Sequence, residues 1–299
     1  MAHGLAAKAN EDRAKLGIVM MLAAWLCFSF VDTSVKWLVL AGVPALQLAF
    51  MRYLTHFVLS LGSILKAKQG WEAFRTEKPG LVWLRAYLLA SSTTLNFIAL
   101  NYLPLTVTGA IMFSAPIFVC LLAGPLLGER AGPWRWFAIL LGFVGVLVII
   151  RPFGAEFHWA LLLSLHNAIA LALFSILTRK LSGIVATETM QFYMGVFGTV
   201  TLLPFAIWTW ENPTTTFDWI LMTGLGASAW LGHDIMTRAH GYATANTLMP
   251  YTYSFLMYLT LLSFLIWGTV PDLWTILGAA IIVVAGLIIW VREGQRAQP

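Results

Sequence analysis

Long apolar stretches separated by brief polar breaks run through the whole of this chain. The first reads LGIVMMLAAWLCFSFVDTSVKWLVL, from Leu16 to Leu40. A helix rises about 1.5 Å per residue, so crossing about 30 Å of hydrocarbon takes roughly 20 apolar residues. Runs of that length lie near 16–39, 44–65, 81–102, 104–127, 134–150, 158–178, 187–210, 217–238, 244–267 and 272–291. The pattern predicts ten membrane-spanning helices. Some breaks, such as the one around Pro104, are very short, which makes consecutive helices antiparallel hairpins. The expected fold class is an all-α membrane protein.

Composition supports lipid as the solvent. Sixty per cent of the residues are hydrophobic and 10% are charged, against roughly 25% charged in an average soluble domain. The opening MAHGLAAKANEDRAK is polar and of mixed charge, and the apolar run behind it is too long for a cleaved signal peptide. Residues 1–15 are therefore expected to be an N-terminal tail. If that tail is cytoplasmic, the inner connections and tails collect basic residues from Lys8 to Arg296. The outer connections then hold Arg151 alone. By the positive-inside rule both termini are cytoplasmic. The net charge of +5 is spread singly and forms no stripe, so nucleic acid is not an expected partner. Cys27 and Cys120 fall in separate apolar runs and read as small core residues, without disulfide or metal.

The chain is written twice. ALNYLPLTVTGAIMFSAPIFVCLLAGPLLGE begins at Ala99 and AHGYATANTLMPYTYSFLMYLTLLSFLIWGT at Ala239. At this offset of 140, Ala99, Tyr102 and Gly128 meet Ala239, Tyr242 and Gly268. With one more residue inserted, Ala138, Gly145 and Arg151 meet Ala279, Gly286 and Arg292. Expected repeats are 16–152 and 153–292, with a C-terminal tail at 293–299. Five spans per half is odd, so the second half enters the membrane from the opposite side. Inverted repeats characterise many secondary transporters, whose substrate site lies between the repeats near the midplane. A duplicated channel or scaffold is the alternative. A path enclosed by one chain also implies that a monomer suffices.

The segment ALNYLPLTVTGAIMFSAPIFVCLLAGPLLGERAGPWRWFAILLGFVGVLVIIRP resembles the EamA domain of the drug/metabolite transporter superfamily. Pro104, Pro116, Gly128-Glu129, Gly142 and Gly145 stand where that pattern puts them. The resemblance covers essentially the whole chain as two such domains. It implies a ten-helix carrier of the bacterial inner membrane with a central cavity open to alternate sides. Within the superfamily the chain is most similar to the YddG-type exporters, implying export of aromatic and other neutral amino acids. Other members import S-adenosylmethionine or riboflavin, and such import is the alternative. Gly268-Thr269 stands where the family commonly keeps Gly-Glu, so no glutamate role carries over to the second half.

The charges inside spans are the candidate chemistry, because an ionised group in hydrocarbon pairs or faces water. Counting along each span places Asp32, Arg52, His166 and Asn167 at similar depth below the outer surface, with Lys36 and Asn96 above them. These residues form a candidate outer vestibule, gate or proton site, with Asp32 paired to Arg52 or Lys36. The competing readings are a purely structural pair, and a Lys36 that snorkels to the interface. Arg85, His233 and Asp234 form a second layer near the cytoplasm, where an Arg85–Asp234 pair would close the inner side. Interface anchoring of Arg85 is the plainer account. Between the layers Trp25, Phe28, Trp230, Tyr251 and Tyr253 are candidate path-lining groups, suited to an aromatic or zwitterionic solute. Most membrane tryptophans serve interfacial belts instead. Small residues such as Gly195 and Gly198 let helices approach closely.

Enzyme signatures do not occur. The chain has no His-Glu-x-x-His, no Gly-x-Ser-x-Gly and no Walker sequence, which argues against a metalloprotease, a serine hydrolase and direct use of ATP. No cofactor is expected. The expected partners are a small-molecule substrate and the bilayer, with coupling to protons left open by Asp32, His166, His233 and Asp234.

Overall fold

The computed structural model describes residues 2–66, 70–100, 102, 111–128, 132–150, 158–268 and 272–296. Ten long helices carry them. These are α1 (Ala2–Leu40), α2 (Ala45–Leu65), α3 (Pro79–Leu100), α4 (Ala115–Leu127) and α5 (Pro133–Ile150) in the first half. The second half has α6 (Ala160–Leu181), α7 (Thr187–Trp208), α8 (Thr216–Tyr242), α9 (Ser254–Trp267) and α10 (Leu273–Arg296). Helices α3 and α5 open on a proline, whose missing N–H costs nothing at that position. Helix α1 already runs from Ala2 and α10 continues to Arg296, so both expected tails are continuous with their spans. Pro104, Glu129, Arg151 and Thr269 lie outside the described residues.

Among the described residues five stretches are long and apolar enough on their own to cross a membrane: Arg13–Leu40, Ala45–Leu65, Ala160–Leu181, Thr187–Trp208 and Met249–Trp267. Shorter apolar runs mark α4, α5 and α10. Helices α3 and α8 are interrupted by polar side chains that point inward, among them Arg85, Ser92, His233 and His240, all buried.

Two spans depart from the expected single helix. The ninth begins as one turn, Ala245–Leu248, passes through the 3-10 turn Met249–Tyr253 containing Pro250, and only then becomes α9. The fourth has a turn at Phe113 and Ser114 before α4 starts beside Pro116. Proline cannot donate the helical bond, which is the reason for both breaks. The breaks match at the 140-residue offset. Ser114 and Ser254 each donate to the carbonyl three residues back. Gly128 (φ 72°) and Gly268 (φ 66°) each end their helix in the left-handed region, which glycine adopts without a Cβ penalty.

Packing repeats the same symmetry. Helix α1 packs on α8 and α3 on α6; α2 on α8 and α3 on α7; α4 on α6 and α1 on α9. Helices α2 and α7 pack on each other, as do α5 and α10. Replacing each helix by its counterpart five places along returns the same set of pairs. Close approach across α2 and α7 depends on glycine: a Cβ on Gly195 would fall 2.7 Å from the Phe57 Cα, and one on Gly198 2.2 Å from the Tyr53 ring. Basic side chains gather at one end of the bundle. There Arg179 Nη1 donates to the His240 carbonyl (2.7 Å) and Arg135 Nη2 to Thr247 Oγ1 (2.8 Å).

Candidate functional site

Arg85 is the largest fully buried side chain in the described structure. It sits six residues into α3 from the basic end and binds three other helices. Its Nε donates to Thr178 Oγ1 on α6 at 2.8 Å, and Nη2 to Thr237 Oγ1 on α8 at 2.9 Å. Nη1 leans on the Met190 carbonyl of α7 at 3.4 Å, and the guanidinium lies 4.3 Å from the Phe174 ring centroid. A buried cation needs its hydration replaced, and here hydroxyls, a carbonyl and a ring do so. The expected Arg85–Asp234 pair is not made. Asp234 instead takes Arg238 from one turn along its own helix (2.8 Å), and Arg238 also reaches Glu188 (2.9 Å). Four-residue spacing brings that pair together at no tertiary cost.

Arg52 and His233 were expected in separate layers, and they touch: Arg52 Nη2 lies 3.2 Å from His233 Nε2. The long arginine stem carries its charge away from the depth of its Cα, which residue counting alone does not register. His233 is the hub of an aromatic cluster, with Phe28 at 4.6 Å, Phe174 at 5.8 Å and His56 at 6.0 Å between ring centroids. Trp25 extends it through Phe28 and Phe255, both at 5.4 Å. His56 was not among the expected residues. It lies one turn beyond Arg52 in RYLTH, and that spacing on a shared helix face is the signal that finds it.

Asp32 is exposed, and neither Arg52 nor Lys36 is in ion-pair contact with it. Lys36 stands over the Trp267 ring at 4.5 Å instead. Neither expected pairing of Asp32 is made, and its carboxylate is exposed. Helices α3 and α6 are joined by the expected amides: Asn167 Nδ2 donates to Asn96 Oδ1 at 3.1 Å, while Ser92 donates to Asn167 Oδ1. His166 meets Ser91 at 3.0 Å. The tyrosine hydroxyls face backbone rather than a passage. Tyr251 donates to the Gly286 carbonyl and Tyr253 to that of Ile139, each at 3.2 Å, and both side chains are buried. Trp230 is half-buried.

A cavity of about 330 Å³ opens at the basic end between α6, α7 and α8, lined by Ser182, Met190, Thr237, Arg238 and Gly241 among others. Two of these, Met190 and Thr237, are partners of Arg85. Among the described residues no cluster of three His, Cys, Asp or Glu converges as a metal site, and Cys27 and Cys120 are free thiols.

Comparison with known proteins gives consistent relatives. The EamA-like transporter family matches residues 15–151. A riboflavin transporter of Vibrio cholerae is 30% identical over 286 residues, covering 94% of this chain and 95% of that protein. An S-adenosylmethionine uptake transporter of Rickettsia prowazekii is 27% identical over 277 residues, 93% of each chain. A pseudopaline exporter of Pseudomonas aeruginosa is 26% identical over 275 residues, 92% of this chain and 95% of the other. A solved crystal structure with 17% identity superposes with a TM-score of 0.78 over 95% of this chain and 98% of its own, and so shares the fold.

Proposed function

The chain belongs to the EamA-like transporter family of the drug/metabolite transporter superfamily, and on that premise we propose a secondary carrier for zwitterionic metabolites, amino acids among them, working by alternating access. Transport of a small molecule, rather than catalysis, comes with the family. The substrate class rests on one observation: Asp32 is an exposed carboxylate without a contact partner, and Arg52 projects its charge from the neighbouring helix toward His233. Separated opposite charges in a low-dielectric setting complement a solute that carries both an ammonium and a carboxylate. The aromatic cluster of Trp25, Phe28 and Phe255 suits an aromatic body between them.

In this reading the Arg85 clamp seals the basic end, the cytoplasmic one in the bacterial inner membrane, while Asp32 faces the opposite side. Asn96, His166 and Asn167 line the outer half, and a single chain encloses the path. Export, as in the YddG-type carriers, is the direction to test first. The relatives' names cover both uptake and export. A second reading, a flat uncharged aromatic such as riboflavin, draws on the same rings and on the Vibrio relative.

Flux in proteoliposomes separates these readings. With a panel of amino acids, S-adenosylmethionine and riboflavin, with and without a pH gradient, we expect saturable uptake of zwitterions stimulated by the same solute inside. Flux that rises linearly with concentration, or that favours riboflavin alone, contradicts the proposal.

A further inference from the structure

Three buried side-chain nitrogens in the middle of the bundle have no protein partner: Trp25 Nε1, His56 Nε2 and His233 Nδ1. Their residues are 5%, 1% and 4% exposed. Ring contacts join them in one cluster, with Phe28 between Trp25 and His233, and His56 beside His233. The protonation of one nitrogen follows from its neighbour. Arg52 Nη2 lies against His233 Nε2. A guanidinium has donors and no acceptor, so Nε2 must accept, and the neutral ring then carries its proton on Nδ1. His233 Nδ1–H is therefore a donor without an acceptor, and the indole N–H of Trp25 can only donate as well. Burying such a group forfeits its hydration without return, and an unsatisfied group in a native structure calls for an explanation.

We propose that His233 Nδ1–H receives the carboxylate of the transported solute, with Trp25 Nε1–H and the rings of Phe28 and Phe255 forming the cage around its body. Arg52 is a positioning residue that fixes the imidazole tautomer and supplies positive charge through the ring. Arg85 adds charge from behind Phe174, whose ring contacts both its guanidinium and His233. Among the described residues no carboxylate is in ion-pair distance of Arg52 or Arg85, so the field at this site favours an anion. Asp32, exposed on α1, is left for the solute's ammonium. Aromatic walls fit a carboxylate attached to an organic body better than a small inorganic anion, which would stay poorly solvated there.

This site rests on the carrier reading above, and the test keeps the two apart. The full chain is reconstituted in proteoliposomes and given L-phenylalanine, L-methionine and L-alanine, each beside its amide. An amide keeps the ammonium and the side chain and lacks the carboxylate. Wild type should show a KM for the preferred acid at least about tenfold below that for its amide, as a charge-assisted bond requires. His233→Leu should abolish that preference, and His233→Asn, whose amide nitrogen comes near the Nδ1 position, should restore most of it. A purely structural histidine would give no such selective rescue. Equal handling of acid and amide by wild type overturns the site while the carrier stands. So does an unchanged preference in folded His233→Leu or a lost one in His233→Asn. Flux of no member of the panel overturns the carrier reading, and this site falls with it.

Discussion

At the scale of single residues, Arg85 tests how a cation survives in the membrane interior without a carboxylate. Its three helix-bridging bonds need a planar fork, which lysine lacks. Arg85→Lys should therefore lower stability by about 1–3 kcal/mol per orphaned contact, read as a lower melting temperature in detergent. Arg85→Met should lose transport yet melt closer to wild type, because Thr178 still donates to the Phe174 carbonyl and Thr237 still receives Gln191. Removing a buried charge costs less than stranding one. Asp32→Asn should cut flux about tenfold or more without affecting insertion, since it removes the proposed counter-charge for the solute's ammonium. Wild-type flux in the folded variant would exclude that role. The charges themselves were plain in the sequence, as Asp32, Arg52, Arg85 and His233 interrupt apolar runs. Their partners were not, because counting residues gives the depth of a Cα and not the reach or rotation of a side chain. The Asp234–Arg238 pair was readable from its four-residue spacing, and so was His56 one turn from Arg52.

At the scale of helices, glycine placement decides how close the bundle can pack. A Cβ on Gly198 would sit 2.2 Å from the Tyr53 ring, whereas one on Gly224 of α8 meets nothing within 4 Å. Gly198→Ala should destabilise by about 1–3 kcal/mol through forced repacking, and Gly224→Ala should be neutral or stabilising by up to about 1 kcal/mol through helix propensity. Melting curves of the two variants side by side check this. Equal effects would mean that the α2–α7 contact is looser than the structure shows. Hydrophobic run length located the ten elements to within a few residues over most of the chain, since lipid imposes one length on every crossing. The broken fourth and ninth spans were harder. Pro250 and Pro116 marked the places, but whether a proline kinks a helix or resets it through a 3-10 turn depends on packing around it.

For the whole molecule, the central claim is that two five-helix halves of opposite sense enclose a passage that opens to one side at a time. The symmetry of helix pairing, with α2–α7 and α5–α10 each paired across the two halves, gives the frame for rocking one half against the other. Repeats in the sequence implied that frame, whereas the grip of Arg85 on α6, α7 and α8 shows only in the folded chain. The most direct measurement is labelling by a membrane-impermeant maleimide in oriented vesicles, using Lys36→Cys and Ser182→Cys separately in a chain without Cys27 and Cys120. Lys36 lies beside Trp267 towards one end of the bundle, and Ser182 lines the cavity at the other. The account predicts that the two positions react from opposite faces and that a transported amino acid raises one rate while lowering the other. Reaction of both from the same face, or rates indifferent to every transported solute, would contradict it.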